Sequence, residues 1–467
     1  MAHGPESGAR RAVTSAAQDG LWFVDTRLGA TPAYHVRRAY RIVGALDLDS
    51  LRAAWTALVV RHESLRTTLI AQDGRLSQLI ADERAEIRSY TERGPEPSLA
   101  HDSLAQRWIA AMAPLDLATG PLARLAVAKV ASHEHLVVLL LHQAVTDDES
   151  TAVLIDELGS AYAAERVGHA TRHRLPPVRA QYADFARWQR HRTASGRFRS
   201  LTDWWANTLT PAPPPLNLPV DRARTVDPNG AHPNGAHPNG AGHLLAFDWG
   251  ERIARPLAGL CAAHRTTPFA AVLTAFQALL HRYGGAERVA VTVPVPVRSR
   301  PEFARIVGAC REPVVVCTDI AGRPSFRELL LRVMTTTDDA LRHRGLPFDQ
   351  LVSALGPDRD PRVPPLSDAA FVYRGRPEPT LDLAGADVRA LPVPTTVVGA
   401  DVTLTVDGVD PVVRGALAVR ASMFERSSVR RILAQFHTLL AGALADPDLP
   451  VDSLPLDDTT AELRDAA

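Results

Sequence analysis

Between Leu136 and Tyr162 the chain reads LVVLLLHQAVTDDESTAVLIDELGSAY. His142, Gln143, Asp147, Asp148 and Glu149 place an imidazole, an amide and three carboxylates close together. An imidazole can take or give a proton near neutral pH. An amide can only orient a partner, by donating and accepting hydrogen bonds. A carboxylate can serve as base, counter-ion or metal ligand. The same residues also admit a purely structural reading, in which acids at the mouth of a helix cap its free N–H groups and complement its dipole.

The flanking sequence says what would position these groups. Leu136 to Leu141 is a continuous apolar run of the length expected of a buried strand. After the polar knot, Leu154, Leu158, Ala161 and Tyr162 fall on one helical face. The expected unit is therefore a buried strand, a polar loop and an amphipathic helix. Ala123 to Val130 is expected as its hairpin neighbour, after the turn Pro114 to Gly120. Helical spacing over Leu46 to Val60 predicts a further helix, with Asp49 or Ser50 as N-cap. Helices are also expected at Tyr182–His191, Phe269–Tyr283, Arg327–Arg342 and Ser428–Leu444, and strands at Val289–Val295 and Val314–Cys317.

The stretch His142-Gln143-Ala144-Val145-Thr146-Asp147-Asp148 resembles the His-His-x-x-x-Asp-Gly motif of nonribosomal peptide synthetase condensation domains, in the chloramphenicol-acetyltransferase superfamily. Gln143 replaces the second His and Asp148 the Gly. Other motifs follow in the family's order. Ser15-Ala16-Ala17-Gln18-Asp19-Gly20-Leu21-Trp22 is similar to the opening Ser-x-Ala-Gln-x-Arg-Leu-Trp. Arg61-His62-Glu63-Ser64-Leu65-Arg66-Thr67 and Tyr182-Ala183-Asp184-Phe185-Ala186-Arg187-Trp188-Gln189 match without exception. Gly308-Ala309-Cys310-Arg311-Glu312-Pro313 stands in the place of Gly-x-Phe-Val-Asn-Thr. His343 to Asp349 and a weaker Arg359-Asp360-Pro361-Arg362 complete the series.

The resemblance implies an α/β fold of two chloramphenicol-acetyltransferase-like lobes, a V-shaped pseudo-dimer with a central substrate tunnel. The lobes are expected over 1–175 and 176–467, the second including a crossover (176–226) and a mobile loop (227–242). It implies no cofactor of the chain's own, but the phosphopantetheine arms of partner acyl or peptidyl carrier proteins, together with a small-molecule amine or alcohol acceptor. The family's second His handles the acceptor's proton, so Gln143, Asp148 and His142 are the candidate catalytic residues, with His142 expected in a mainly packed role. A lost general base costs about 10² to 10⁴ in rate, while positioning supplies part of the remainder. Asp148 has three expected roles: substitute base, selector of a cationic acceptor, or helix cap. Asp147 is expected to pair with Arg298 and to hold the loop and the lobes in place, which competes with any metal site built from His142 and the three acids. Arg61 and Arg66, with Glu63, are expected as buried ion-pair residues, and Gly308 and Glu312 as tunnel-lining positions.

Three functions compete. One is an acyltransferase joining a carrier-bound acyl group to an amine or hydroxyl. Another is a silent module like the X domain of glycopeptide synthetases, which carries a similarly altered motif and recruits tailoring oxygenases. The third is a tailoring reaction such as cyclisation of a carrier-bound intermediate.

Composition sets the outer bounds. The 467 residues suit more than one core. Lys+Arg and Asp+Glu balance at 52 each, which gives no overall field for nucleic acid or an anionic membrane. Cys261, Cys310 and Cys317 lack ligand spacing, and reduced thiols in a cytoplasmic, monomeric protein are expected. The N-terminal residues lack the apolar core of a signal peptide, and no apolar run approaches the roughly 20 residues of a membrane span. Asp227 to Gly242 repeats Pro-Asn-Gly-Ala, with His232 and His237 between copies, and is expected as a solvated loop. With no carrier or adenylation motif in view, the chain is expected to be free-standing.

Overall fold

The computed structural model describes residues 9–28, 34–82, 90–93, 105–109, 112, 114–169, 175–194, 197–223, 242–354, 368–375, 380–393 and 399–456. His232, His237, the stretch Arg359–Arg362 and most of the Pro-Asn-Gly-Ala repeat lie outside these residues. Gly242, read from sequence as the end of the loop, instead opens the strand Gly242–Trp249. The chain divides into two compact units. The first comprises Met1–Ser195 together with Val297–Arg311 and Glu378–Pro394; the second comprises Gly196–Pro296, Glu312–Pro377 and Thr395–Ala467. Where the sequence draws one cut after residue 175, the contacts place the helix Tyr182–Ala194 in the first unit and carry two later segments back into it.

The first unit is organised on the strand Glu134–His142. Every residue from His135 to His142 is buried, which is why this stretch reads as a continuous apolar run instead of alternating. It pairs antiparallel with His35–Gly44 on one side and Ala123–Ala131 on the other. The strand Ala386–Leu391, from the far end of the sequence, extends the sheet beyond His35–Gly44, and Tyr90–Arg93 closes the opposite edge. The helices Leu48–Arg61 and Asp148–Arg166 cover one face, burying Trp55, Leu58, Leu154, Leu158 and Tyr162 against Val137, Leu139 and Leu141. The cap of the first helix is Asp47, not Asp49 or Ser50: its carboxylate accepts the N–H groups of both.

The Arg61-His62 step of the second motif has a structural task. The Glu157 side chain is fully buried in the second helix and is met by Arg61 Nε at 2.9 Å, His62 Nε2 at 2.7 Å and Arg305 Nη2 at 3.2 Å. Burial alone would raise its pKa, but the bonds from His62 and Arg61 hold it down at about 2. Glu63 pairs with Arg10, and Arg66 donates to the backbone carbonyl of Ala81. Arg61 thus fills the expected ion-pair role, whereas the bond seen for Arg66 goes to the backbone.

The second unit carries a six-stranded sheet in the order Arg311–Asp319, Arg288–Pro296, Ala369–Tyr373, Val402–Gly408, Val413–Arg420 and Gly242–Trp249. Ala369–Tyr373 runs parallel to both of its neighbours. The helix Pro268–Gly284 is buried from Ala270 to Leu280, and Gln277 ties it to the sheet by donating to the carbonyls of Val289 and Val316. The helices Phe326–Arg342 and Arg426–Ala445 follow their expected bounds closely.

One glycine is dictated by close approach. A Cβ on Gly308 would stand 1.9 Å from Cδ2 of Tyr182, whose ring lies flat against that backbone. Gly308, expected as a substrate-lining position, is therefore a packing residue of the first unit. Replacing it with alanine forces ring or backbone to move and should cost about 1–3 kcal/mol. Thermal unfolding of Gly308→Ala should show this loss, and adding Tyr182→Leu should recover part of it. An unchanged melting temperature in Gly308→Ala would contradict the packing.

Candidate functional site

The polar knot forms a short loop between the strand Glu134–His142 and the helix Asp148–Arg166. Asp147, not Asp148, caps that helix: its Oδ1 accepts the Ser150 N–H at 2.7 Å. The same oxygen accepts Arg298 Nη2 at 2.7 Å, and Oδ2 accepts the Cys310 N–H at 3.0 Å. Arg298 also reaches Glu149 at 2.8 Å and Ser150 Oγ at 2.7 Å. Ser150 Oγ in turn donates to the Gly308 carbonyl and accepts the Gly308 N–H. The side chains of Arg298 and Asp147 are only 5% and 6% exposed, so this is a desolvated pair. Burial works against the Arg298 charge, but Asp147 and the groups around it hold its pKa above the usual arginine value. The expected Asp147–Arg298 pair is present, and Arg298 lies in the segment Val297–Arg311 that groups with the first unit.

The other motifs hold the loop from behind. Gln18 is fully buried and donates to the Ala144 carbonyl, while Tyr182 donates to the Ala309 carbonyl and accepts from Ser15 Oγ. Since the Tyr182 hydroxyl has a single hydrogen, Ser15 must be the donor in that contact. Two of the motifs read from the sequence therefore act as scaffold for this loop.

His142 is buried, and its Nδ1 accepts the Ala144 N–H at 3.0 Å. In the neutral ring the proton consequently sits on Nε2. His35 lies beside it, with ring centroids 5.8 Å apart, and accepts the Leu115 N–H on its own Nε2. Burial, and then His35, pushes the His142 pKa down to about 3; burial, Arg37 and Arg124 push His35 to about 4. His142 is a fixed, neutral core imidazole.

Gln143 is exposed at the turn, with its backbone N–H held by the Tyr34 carbonyl at 2.8 Å. Its amide can donate and accept, but it has no proton-accepting chemistry near neutral pH. Asp148 opens the helix, and its carboxylate is met by Arg311 Nη1 on Oδ2 and by Arg38 Nη2 at 3.9 Å from Oδ1. Of its three expected roles the cap passes to Asp147, and the Asp148 carboxylate faces guanidinium groups instead. Glu312, the other expected lining residue, is buried at the start of the second unit's edge strand. The loop thus brings His142, Gln143, Asp147, Asp148 and Arg298 together. Sequence reasoning missed Arg38 and Arg311; the signal for Arg311 was an arginine where the family's motif has valine. Among the described residues no group of three or more His, Cys, Asp or Glu could hold a metal ion, and no helix is long and apolar enough to cross a membrane.

This geometry sits in a recognisable class of protein. The family model described as Condensation domain matches residues 9–463, and the chain belongs to that family. It is 34% identical over 460 residues to phosphinothricin tripeptide synthetase PhsB of Streptomyces viridochromogenes, covering 96% of this chain but 37% of that protein. It is 28% identical over 454 residues to malpinin synthetase of Mortierella alpina, covering 97% of this chain and 6% of that protein. The chain therefore spans well under half the length of these relatives. Among solved structures, the X-domain from teicoplanin biosynthesis superposes with a TM-score of 0.81 at 23% identity, over 98% of this chain and 99% of that one. A complex of that X-domain with OxyB matches equally well. These likenesses establish the chloramphenicol-acetyltransferase-like α/β fold.

Two outcomes are expected. Replacing one partner of the buried pair, as Asp147→Ala or Arg298→Leu, should cost about 3–5 kcal/mol, because the remaining charge is stranded. The double variant should lose clearly less than the sum in denaturant unfolding; simple additivity would refute the coupling. The histidines make a pH prediction. An unfolded histidine titrates near 6.5, whereas folded His142 stays neutral to about 3, so the unfolded state binds more protons as pH falls below 6.5. Stability should accordingly drop by about 2 kcal/mol for this residue between pH 7 and pH 5. His142→Asn, whose Oδ1 can still accept the Ala144 N–H, should show a visibly shallower pH dependence; equal slopes would contradict the assignment.

Proposed function

We propose that this chain is a condensation-type domain of nonribosomal peptide biosynthesis that works by binding and not by forming an amide bond. It engages a carrier protein whose phosphopantetheine arm presents the intermediate, and it recruits a second protein, a tailoring oxygenase, to act on that intermediate. The observation that carries this reading is the chemistry of the groups at the motif, none of which is a ready proton acceptor. Position 143 is an amide, Asp148 is taken up by Arg311 and Arg38, and His142 is a neutral core imidazole. An amine attacking a thioester has to lose a proton, and a missing base costs about 10² to 10⁴ in rate. The likeness to the X-domain that forms a complex with OxyB supports the same reading.

The exposure of Gln143 favours a second reading, acyl transfer by positioning alone. In that case the Gln143 amide would orient a small-molecule amine or alcohol, and the substrate would manage its own proton.

Intact-protein mass spectrometry separates the two. Carrier proteins loaded with acyl or peptidyl groups are incubated with amine acceptors and with wild type, Gln143→Ala or Asp148→Gly, and carrier binding is followed in parallel by titration. Saturable binding of loaded carrier with no transfer by any form is expected, and a carrier-loaded complex should capture an oxygenase partner. Transfer by wild type that drops tenfold or more in Gln143→Ala would instead establish an acyltransferase.

A further inference from the structure

Two departures from the family's motifs meet in space. Asp148 stands where His-His-x-x-x-Asp-Gly has glycine, and Arg311 stands where Gly-x-Phe-Val-Asn-Thr has valine, 163 residues further along the chain. Neither usual residue carries a charge. Here Arg311 Nη1 donates to Asp148 Oδ2, and Arg38 Nη2 stands 3.9 Å from Oδ1. The side chains are 16% exposed for both arginines and 27% for Asp148, so solvent reaches the group but does not fully screen it. Arg311 is fixed in turn, because it follows directly on Cys310, whose N–H is held by Asp147. The acid and its counter-charge are thus delivered by the two backbone segments that Asp147 fastens together.

We propose that Arg311 is a positioning residue for the motif: it holds the Asp148 carboxylate, so that the motif withholds both a proton acceptor and a docking point for a cationic amine. An acid introduced alone into the motif would offer a base and would attract a positively charged acceptor. Paired with Arg311, it does neither. The two exchanges form one functional unit, and together they keep the motif loop from handling protons or cations. The consequence for chemistry rests on the binding reading above; the pairing itself does not.

The test is carbodiimide-promoted coupling of glycinamide to carboxyl groups in the full chain, quantified at each site by peptide mass spectrometry. Asp49, whose side chain is 94% exposed with Arg52 at 3.5 Å, sets the scale for labelling of a solvent-exposed carboxylate, and Glu157, fully buried, reports on unfolding. In wild type, Asp148 should label at least tenfold less than Asp49. Arg311→Val, which restores the family's uncharged residue, should bring Asp148 to within about threefold of Asp49 while Glu157 stays unlabelled. Arg311→Lys, which keeps a cation, should remain near the wild-type level, which a purely steric role would not predict. Should Arg311→Val fail to fold, as Glu157 labelling would reveal, Arg311→Gln keeps the bulk, drops the charge and carries the same expectation. Equal labelling of Asp148 in wild type and in the uncharged variants would overturn the proposal. Acyl transfer by wild type would overturn the binding reading and leave this labelling comparison intact, so the two failures are distinguishable.

Discussion

The Asp147 carboxylate is the point on which the local architecture turns. It caps the helix that follows the motif strand, pairs with a buried guanidinium and accepts a backbone N–H from a segment more than 160 residues away. Such a desolvated charge is tolerable only because each oxygen meets donors; left alone it would be strongly destabilising. Through Arg298 and Ser150 the same carboxylate fixes residues 306 to 310, and through Gly308 it settles where Tyr182 can lie. The residue that in sequence looks like one acid among three is structurally the indispensable one.

That lock also defines what the loop can offer a ligand. It places the Cys310–Arg311 step beside the start of the helix, which brings a cation to Asp148. With His142 sealed in the core as a neutral ring, the exposed polar group contributed by the motif is an amide. Such a group can donate and accept hydrogen bonds but cannot take up a proton near neutral pH. The preserved Ser15, Gln18, Arg61, Tyr182 and Asp147 all serve the scaffold, whereas Gln143, Asp148 and Arg311 depart from the family pattern. A fold can keep its scaffold while the groups at one loop change, in line with the general rule that function resides in a site placed on a fold.

Much of the fold was legible. The strand Glu134–His142 and the helices Pro268–Gly284, Phe326–Arg342 and Arg426–Ala445 were found within a few residues, because apolar periodicity is a local property of the chain. The cap of the first covering helix lies two or three residues before the expected Asp49 or Ser50, a typical shift where several acids and a serine compete for one end. The linear division into lobes also differs from the contacts, since no local signal announces that Val297–Arg311 and Glu378–Pro394 return to the first unit. Gly308 is expected at a lining from the family resemblance alone; in the structure the space beside its Cα is filled by Tyr182.

The sequence by itself determined the family, the most strongly periodic elements and the identity of every group at the motif, because these follow from residue type, order and short-range spacing. It also established that position 143 cannot act as a base, since that is a property of the amide. The family resemblance pointed to the Asp147–Arg298 pair, and the tertiary structure decided the rest of what the three acids do. Asp147 became the cap and lock, Glu149 the second partner of Arg298, and Asp148 the counter-charge of Arg311 and Arg38. A carboxylate's role is set by the charges and donors within a few ångströms of it, and here those come from residues distant in sequence that only folding brings near.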